Sequence, residues 1–211
     1  MSTTQQNLEA LRDIRKMMER SSRFISLSGW SGIAAGTCAL IGAGVALQRI
    51  RDFYNKEIQS PDACMECLQK DLITIAALVL IGATVTAFFF TFLRSKREGV
   101  PIWGTAARRL VWNTLLPMAA GGFIILKLLD VQQYEMIAGS SLIIYGLALV
   151  NGSKYTLGEI RFLGYAEILL GIISLWLTPQ NGIYFWAVGF GVMHILYGVA
   201  MWWKYERKTN S

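Results

Sequence analysis

Two long stretches without a charged residue constrain this chain more than any other feature. Phe24 to Gln48 is uncharged over 25 residues, and Leu72 to Leu93 is uncharged over 22. A helix needs only about 20 predominantly apolar residues to cross a bilayer. Both stretches are apolar on every face, as membrane spans are, whereas a helix at the surface of a soluble protein is apolar along one stripe. The sequence therefore predicts an integral membrane protein.

Four further apolar segments complete the set of predicted spans. Within two of them, the stretch from Phe162 to Thr178 has Glu167 as its one charged residue, and the stretch from Gly182 to Trp203 has His194 as its one acidic or basic residue. The alternating pattern of a transmembrane barrel is missing. We therefore predict an all-α, polytopic transmembrane bundle of about six spans. The predicted ranges are a tail at 1–23, a transmembrane domain at 24–204 with spans at 24–48, 72–93, 106–128, 134–153, 157–178 and 182–204, and a tail at 205–211.

Basic residues are distributed unevenly between the two sides of this topology. Fifteen lie in the two tails and in the loops after spans two and four, against five in the loops after spans one and three. Because loops rich in Lys and Arg stay in the cytoplasm, we predict that both termini are cytoplasmic. The net charge of +6 suits an anionic lipid surface. No basic stretch is interleaved with aromatic residues, so we expect no nucleic-acid partner.

The N-terminal tail has the pattern of a short amphipathic helix. Leu8, Leu11 and Ile14 recur at helical spacing, with basic residues on the opposite face. We interpret it as a lead-in to the first span, with a docking or sensing element as the alternative. The first uncharged stretch is longer than the roughly 7–15 apolar residues of a signal peptide, so we expect no cleavage.

Glycines seven residues apart recur in four of the predicted spans. The segments Gly139–Gly146, Gly164–Gly171 and Gly191–Gly198 align with one another, and the first span repeats the spacing. Residues seven apart share a helix face, and small residues there let helices approach closely in lipid. The predicted helix-packing glycines are Gly29, Gly32, Gly36, Gly139, Gly146, Gly164, Gly171, Gly191 and Gly198.

The middle position of this repeat holds Glu167 in span five, His194 in span six and Leu142 in span four. A tight turn makes spans five and six antiparallel neighbours, and both ionisable residues lie roughly 18 Å from it at the rise of an α-helix. We therefore predict that they contact each other as an intramembrane polar pair. A charge at the bilayer centre costs about 2.5–3.5 kcal/mol, so pairing is a reason to retain both. We favour a packing hydrogen bond between helices over a proton or ion relay or a ligand site.

The third span contains two polar or irregular positions, Asn113 and Pro117. A proline inside a helix frees a backbone carbonyl. These residues therefore lend some support to a functional site in the bundle. The alternative is a simple kink at Pro117.

A C-x-x-C pair, Cys64 and Cys67, lies at the start of the second span on the predicted outer side. Ser60 and Pro61 just before it are residue types that begin helices, and a helix start stabilises a thiolate. The pair is therefore a candidate disulfide or redox pair, and we favour a structural disulfide without turnover chemistry. A zinc site needs about four ligands, so we expect no metal. Cys38 in span one is interpreted as an apolar filler.

Three segments carry a resemblance to known sequences. They are LRDIRKMMERSSRFISLSGWSGIAAG from Leu11, YTLGEIRFLG from Tyr155, and HILYG from His194 with KYER from Lys204. They resemble a group of uncharacterised six-span inner-membrane proteins of Bacteroidetes-type bacteria, over most of the chain. The resemblance implies a Gram-negative inner membrane. Members tend to be encoded beside a small winged-helix regulator, which implies a regulated role in the envelope. The resemblance supplies no catalytic residues.

Motifs of well-known enzyme classes are missing from the sequence. It has no phosphate-binding loop, no H-E-x-x-H and no nucleophile elbow, and one histidine in all. We therefore expect a non-enzymatic structural or regulatory protein of the bacterial inner membrane, without a cofactor. The alternatives are a small-solute or ion transporter using Glu167 and His194 and, more weakly, a membrane thiol oxidoreductase using Cys64 and Cys67. The expected partner is the lipid bilayer, with a homo-oligomer or a membrane protein partner left open.

Reporter fusions test the predicted topology. Because basic residues are concentrated on one side of the spans, a fusion at Ser211 should show cytoplasmic reporter activity and one near Asn55 should show external activity. Alkaline phosphatase and green fluorescent protein give opposite signals on the two sides and serve as mutual controls. External activity at Ser211 would contradict the topology of six spans with internal termini.

Overall fold

Six helices form the part of the chain that the computed structural model describes, residues 28–59, 64–99, 102–177 and 181–207 together with residue 5. Each is long and apolar enough to cross a membrane, and the described ranges contain no strand. The predicted all-α bundle is thereby confirmed. The amphipathic pattern predicted in the tail lies outside these ranges. The helices are α1 (Gly29–Gln59), α2 (Met65–Glu98), α3 (Thr105–Asp130), α4 (Glu135–Gly152), α5 (Ile160–Leu177) and α6 (Gly182–Glu206).

Helix α2 is longer than the uncharged segment that predicted it. Its 34 residues correspond to about 51 Å of helix, against a hydrocarbon core of about 30 Å. It therefore carries polar turns beyond the apolar segment. Cys64 is the N-cap of α2, and the predicted start at Ser60 and Pro61 lies outside the described residues. The helix ends at Gly99, whose φ of 64° is in the left-handed region where glycine is the preferred C-terminal residue.

The helices are arranged as two central antiparallel pairs with two flanking helices. Helix α1 packs along α6, and α4 packs along α5. Helix α2 flanks α1, and α3 flanks α4. The first half of α6 also contacts α4 and α5, which joins the two pairs. Most large apolar side chains of α2 are exposed and face lipid, among them Leu78, Leu80, Ile81, Val85 and Phe88.

The two central pairs are built on the same glycine contact. A Cβ atom placed on Gly146 would lie 2.6 Å from the carbonyl oxygen of Gly164, and one on Gly164 would lie 2.7 Å from the oxygen of Gly146. Carbon and oxygen atoms cannot approach so closely, so only glycine permits this helix separation. The same contact recurs at Gly139 with Gly171 and at Gly29 with Gly198, and in one direction at Gly36, where a Cβ would lie 2.6 Å from the Gly191 oxygen.

A β-branched residue completes most of these contacts. It stands four positions after the partner glycine, so that a Cβ on Gly146 would meet the backbone nitrogen and Cγ1 of Ile168 at 3.0 and 2.7 Å. In a helix such side chains have one strongly preferred rotamer, and they fill the space beside the glycine at little entropic cost. The β-branched residues in this position are Ile33, Ile143, Val150, Ile168 and Ile195, and the remaining contacts have Leu40, Leu175 and Trp202 there.

Substitution of a contact glycine should destabilise the bundle. In Gly146→Ala the new methyl group would meet the backbone of α5, and overpacking of this kind costs about 1–3 kcal/mol. The control is Gly122→Ala on α3, where a Cβ meets nothing within 4 Å and only the gain in helix propensity of up to about 1 kcal/mol remains. Thermal unfolding in detergent should show a lower midpoint for Gly146→Ala than for the wild type and no loss for Gly122→Ala. Equal midpoints for the two variants would contradict the packing role.

Candidate functional site

Glu167 on α5 and His194 on α6 lie next to each other inside the bundle. Nδ1 of His194 is 3.4 Å from Oε1 of Glu167, and the two side chains are 9% and 0% exposed. Gly189, one turn before His194, leaves room for this arrangement. A Cβ at that position would collide with Oε2 of Glu167 and with the side chain of Leu142. The three middle positions of the glycine repeat therefore converge around Gly189.

Both ring nitrogens of His194 have partners. Nε2 lies 2.8 Å from the hydroxyl of Tyr145 on α4, and Nδ1 lies 3.1 Å from the carbonyl oxygen of Gly189. A neutral imidazole has one donor and one acceptor nitrogen. Since a carbonyl can only accept, Nδ1–H donates to Gly189 and Nε2 accepts from Tyr145. Neutral His194 is therefore fully bonded without a contribution from Glu167.

The backbone before His194 departs from α-helical geometry. Ala187–Met193 forms a π-helix, and it supplies the Gly189 carbonyl that accepts from the imidazole. Short π-helical turns inside helices are frequently found at functional sites. Phe190 in the same stretch stacks on His194 with ring centroids 6.1 Å apart and lies 5.0 Å from the ring of Tyr145. An aromatic side chain thus covers the imidazole–hydroxyl bond.

Glu167 is the incompletely bonded member of this centre. Neither of its oxygen atoms accepts a hydrogen bond from any group in the described part of the protein. The 3.4 Å approach to His194 is longer than a good N–H···O bond of about 2.7–3.2 Å, so we count it as an electrostatic contact and not as a hydrogen bond. Most buried polar atoms in proteins have a partner. The carboxyl group is therefore the atypical feature of the site.

Asn113 and Pro117 on α3 take part in a hydrogen-bonded contact with α4. Pro117 has no N–H, so the carbonyl of Asn113 four residues earlier lacks its helical donor. The side-chain nitrogen of Asn151 on α4 donates to that oxygen at 2.8 Å. The freed carbonyl is thereby satisfied by the neighbouring helix. The support that these residues lent to a functional site is removed.

Cys64 and Cys67 are joined by a disulfide at the start of α2. The backbone N–H of Cys67 donates to Sγ of Cys64 at 3.2 Å, in an exposed position. After reduction the same N–H and the helix start would stabilise a thiolate on Cys64. Across the described residues no three His, Cys, Asp or Glu side chains are grouped as metal ligands.

A cluster around Glu206 joins three helices where α1 begins and α6 ends. Its Oε1 accepts from the backbone N–H of Gly29 at 2.6 Å, from Ser28 Oγ at 3.1 Å and from Arg94 of α2 at 3.2 Å. A surface pocket of about 430 Å³ adjoins the cluster. Glu167 and His194 do not line it. The lining residues are Ser28, Trp30, Phe90, Leu93, Arg94, Arg97, Glu98, Trp202 and Glu206.

A second cluster lies at the same end, where α5 begins. Glu159 accepts hydrogen bonds from Lys204 and, at 2.8 Å, from the hydroxyl of Tyr205, both on α6. Partial burial acts to raise the pKa of the Glu159 carboxyl, but these hydrogen bonds outweigh it and hold the pKa below its usual value. Glu159 is therefore ionised at neutral pH and ties the start of α5 to the end of α6.

Sequence reasoning missed Tyr145 and Gly189. A signal for Tyr145 was present, because Tyr145 and Tyr197 occupy the same position of the repeat, immediately before its second glycine. Gly189 carries no comparable pattern, since its role depends on the π-helical turn. No protein-family model, no curated protein and no solved structure matches this chain. The site must therefore be judged on its own geometry.

The bond between Asn151 and the freed carbonyl gives a direct test. Asn151→Leu should destabilise the wild type by about 1 kcal/mol, because the Asn113 carbonyl loses its donor. In a Pro117→Ala background the backbone N–H returns and satisfies that carbonyl, so the same substitution should cost less. A double-mutant cycle measured by reversible unfolding in detergent gives the difference. An equal cost in both backgrounds would show that Asn151 does not act through Pro117.

Proposed function

We propose that this protein is a non-enzymatic structural or regulatory component of a membrane, in which Tyr145, His194 and Glu167 fix the arrangement of three helices. The supporting observation is the chain of contacts from Tyr145 on α4 through His194 on α6 to Glu167 on α5. Polar groups that bridge helices in lipid specify which faces meet. The glycine contacts bring the helices together, and this centre selects one rotational arrangement.

The burial of the centre argues against catalysis or the binding of a solute there. The side chains of Glu167 and His194 are 0% and 9% exposed. Leu142 is fully buried and packs toward the same point as the carboxyl group. A substrate would need to displace helices to reach either group. An organising role needs no such access.

The wider setting is part of the same proposal. The six helices are long and apolar enough to cross a membrane, which supports a multi-pass membrane protein. The bias of basic residues supports cytoplasmic termini, and the resemblance to Bacteroidetes-type sequences supports a Gram-negative inner membrane. A regulated role in the envelope, without a cofactor, is consistent with both. The bilayer is the expected partner, and a protein partner stays open.

A double-mutant cycle tests the organising role. Glu167→Gln and His194→Gln should destabilise the protein non-additively, with a coupling of about 0.6–1.7 kcal/mol, the range measured for polar contacts between membrane helices. Tyr145→Phe should likewise couple to His194→Gln, because it removes the group 2.8 Å from Nε2. Reversible unfolding in detergent provides the free energies.

The control pairs Glu167→Gln with Lys127→Gln, whose side chain is exposed and bonded only to nearby Asp130 among the described residues. Distant substitutions without shared partners should add. Additive effects of Glu167→Gln and His194→Gln would show that the pair does not hold the helices and would remove the basis of the proposal.

Ion transport through Glu167 and His194 is the second candidate function. It is favoured by one observation, the two oxygens of Glu167 that lack hydrogen-bond donors within the described structure. An ionisable residue inside a membrane protein is a default candidate for an ion or proton pathway. Because Glu167 and His194 are enclosed by protein, the transported ion would have to be one that needs no cavity.

A further inference from the structure

The buried side-chain atoms that lack a hydrogen-bond partner in the described structure all belong to α5 and α6. They are both carboxyl oxygens of Glu167, Oγ of Ser174 and the hydroxyl of Tyr197. Buried polar atoms are normally bonded to protein or to ordered water. Four such atoms scattered at random would need separate explanations. Their concentration on two neighbouring helices points to one shared cause.

These groups form a polar column together with the bonded ones between them. Tyr197 follows His194 by three residues in α6, so the two side chains lie about one turn apart on the same helix face. Tyr145 then bonds His194, and His194 contacts Glu167. We call Tyr197, Tyr145, His194, Glu167 and Ser174 the polar column.

The polar column extends across much of the bilayer. Ser174 follows Glu167 by seven residues, two turns along the same face of α5, and its Oγ lies 3.7 Å from where a Cβ of Gly182 would be, near the turn to α6. From Gly182, beside Ser174, to Tyr197 is 15 residues of α6, or about 22 Å of helix in a hydrocarbon core of about 30 Å. The column therefore extends from the start of α6 to Tyr197, most of the way along that helix.

Every member of the column can both give and take a proton. A tyrosine or serine hydroxyl is donor and acceptor at once, and imidazole has one nitrogen of each kind. Glu167 lies beside Gly189 and His194 of α6, and Leu142 of α4 packs toward the same point. A metal cation would need several oxygen ligands in a cavity. A proton needs only a succession of such groups and water molecules between them.

We propose that the polar column at the α4–α5–α6 interface is a proton path, with His194 passing a proton between Tyr145 and Glu167. A proton arrives at Nε2 from the hydroxyl of Tyr145, which is reprotonated from the Tyr197 side. At rest the proton on Nδ1 is donated to the Gly189 carbonyl, and in the transfer it moves to the ionised carboxyl group of Glu167, whose Oε1 is 3.4 Å away. Imidazole ends in its other neutral tautomer and Glu167 as the carboxylic acid, and no electron or heavy atom is transferred. Glu167 then releases its proton toward Ser174 through water, and water beside the ring takes the Nε2 proton and returns one to Nδ1, which restores both groups for the next proton.

This path deepens the second candidate function and is independent of the organising role. A centre that fixes helix arrangement need not conduct, and a conducting column need not contribute to stability. The two are separated by different measurements: flux for the path and coupling energies for the organising contacts.

Proton flux into vesicles tests the path. The full chain is reconstituted in vesicles of phosphatidylethanolamine and phosphatidylglycerol that contain a pH-sensitive dye, and a potassium diffusion potential drives proton entry. The wild type should acidify the interior faster than protein-free vesicles. Glu167→Gln and Tyr197→Phe should each lower that excess rate by at least about tenfold, because removal of a proton-transferring side chain typically costs a factor of 10² or more.

Two matched controls separate conduction from folding. Tyr165→Phe makes the same chemical change at a side chain that is 53% exposed, and it should leave the rate unchanged. Ser141→Ala is the matched control for Ser174→Ala, because the Ser141 Oγ already donates to the carbonyl of Ala138. Only Ser174→Ala should lower the rate. Tyr197→Phe removes a hydroxyl that has no partner among the described residues, so thermal stability should not fall, and lost flux would not reflect unfolding.

Two results would overturn the proposal. One is a wild-type rate equal to that of empty vesicles. The other is equal rates for Tyr197→Phe and Tyr165→Phe. If either occurs while Glu167→Gln and His194→Gln remain coupled in stability, the organising role stands and the proton path fails. Proton flux that depends on Tyr197, together with additive effects of Glu167→Gln and His194→Gln on stability, would establish the path and remove the organising role.

Discussion

The fold depends on how closely the helix backbones approach each other at the contact glycines. In lipid there is little hydrophobic gain from bringing two apolar helices together, so packing and polar contacts must supply the driving force. At Gly146 and Gly164 the carbonyl oxygen of each helix occupies the place where the other would have a side chain. The contact is reciprocal and is repeated at several levels of two helix pairs. Its geometry leaves the helices few alternative separations.

That separation determines where the polar groups meet. The middle position of each repeat lies between two contact glycines and so is directed into the bundle. In α5 and α6 these positions are Glu167 and His194, and in α4 the position is Leu142. The close backbone approach leaves no room for a side chain at Gly189, and the carboxyl group fills that space. Packing by small residues and burial of large polar ones are therefore two aspects of one pattern.

The sequence was sufficient to predict the six helices, the glycine faces and the common depth of Glu167 and His194. These follow from local properties, namely hydropathy, spacing along one helix and the length of one turn. The pairing of α1 with α6 could not be predicted, because the glycine face of α1 fits the face of any other repeat. The bond from Asn151 to the Asn113 carbonyl and the π-helical turn at Gly189 were also missed. Both depend on which helices are neighbours.

The pairing of α1 with α6 has a consequence for how the protein is made. Gly36 and its partner Gly191 are separated by about 155 residues, which a ribosome adds in roughly 10–30 s at about 5–20 residues per second. During this interval α1 is in the membrane while its main partner does not yet exist. Helix α2 is available early and can pack beside it, whereas the glycine face stays open to lipid or to an insertion factor. Translation must reach α6 before the two halves can close, so the last helix completes the assembly of the first.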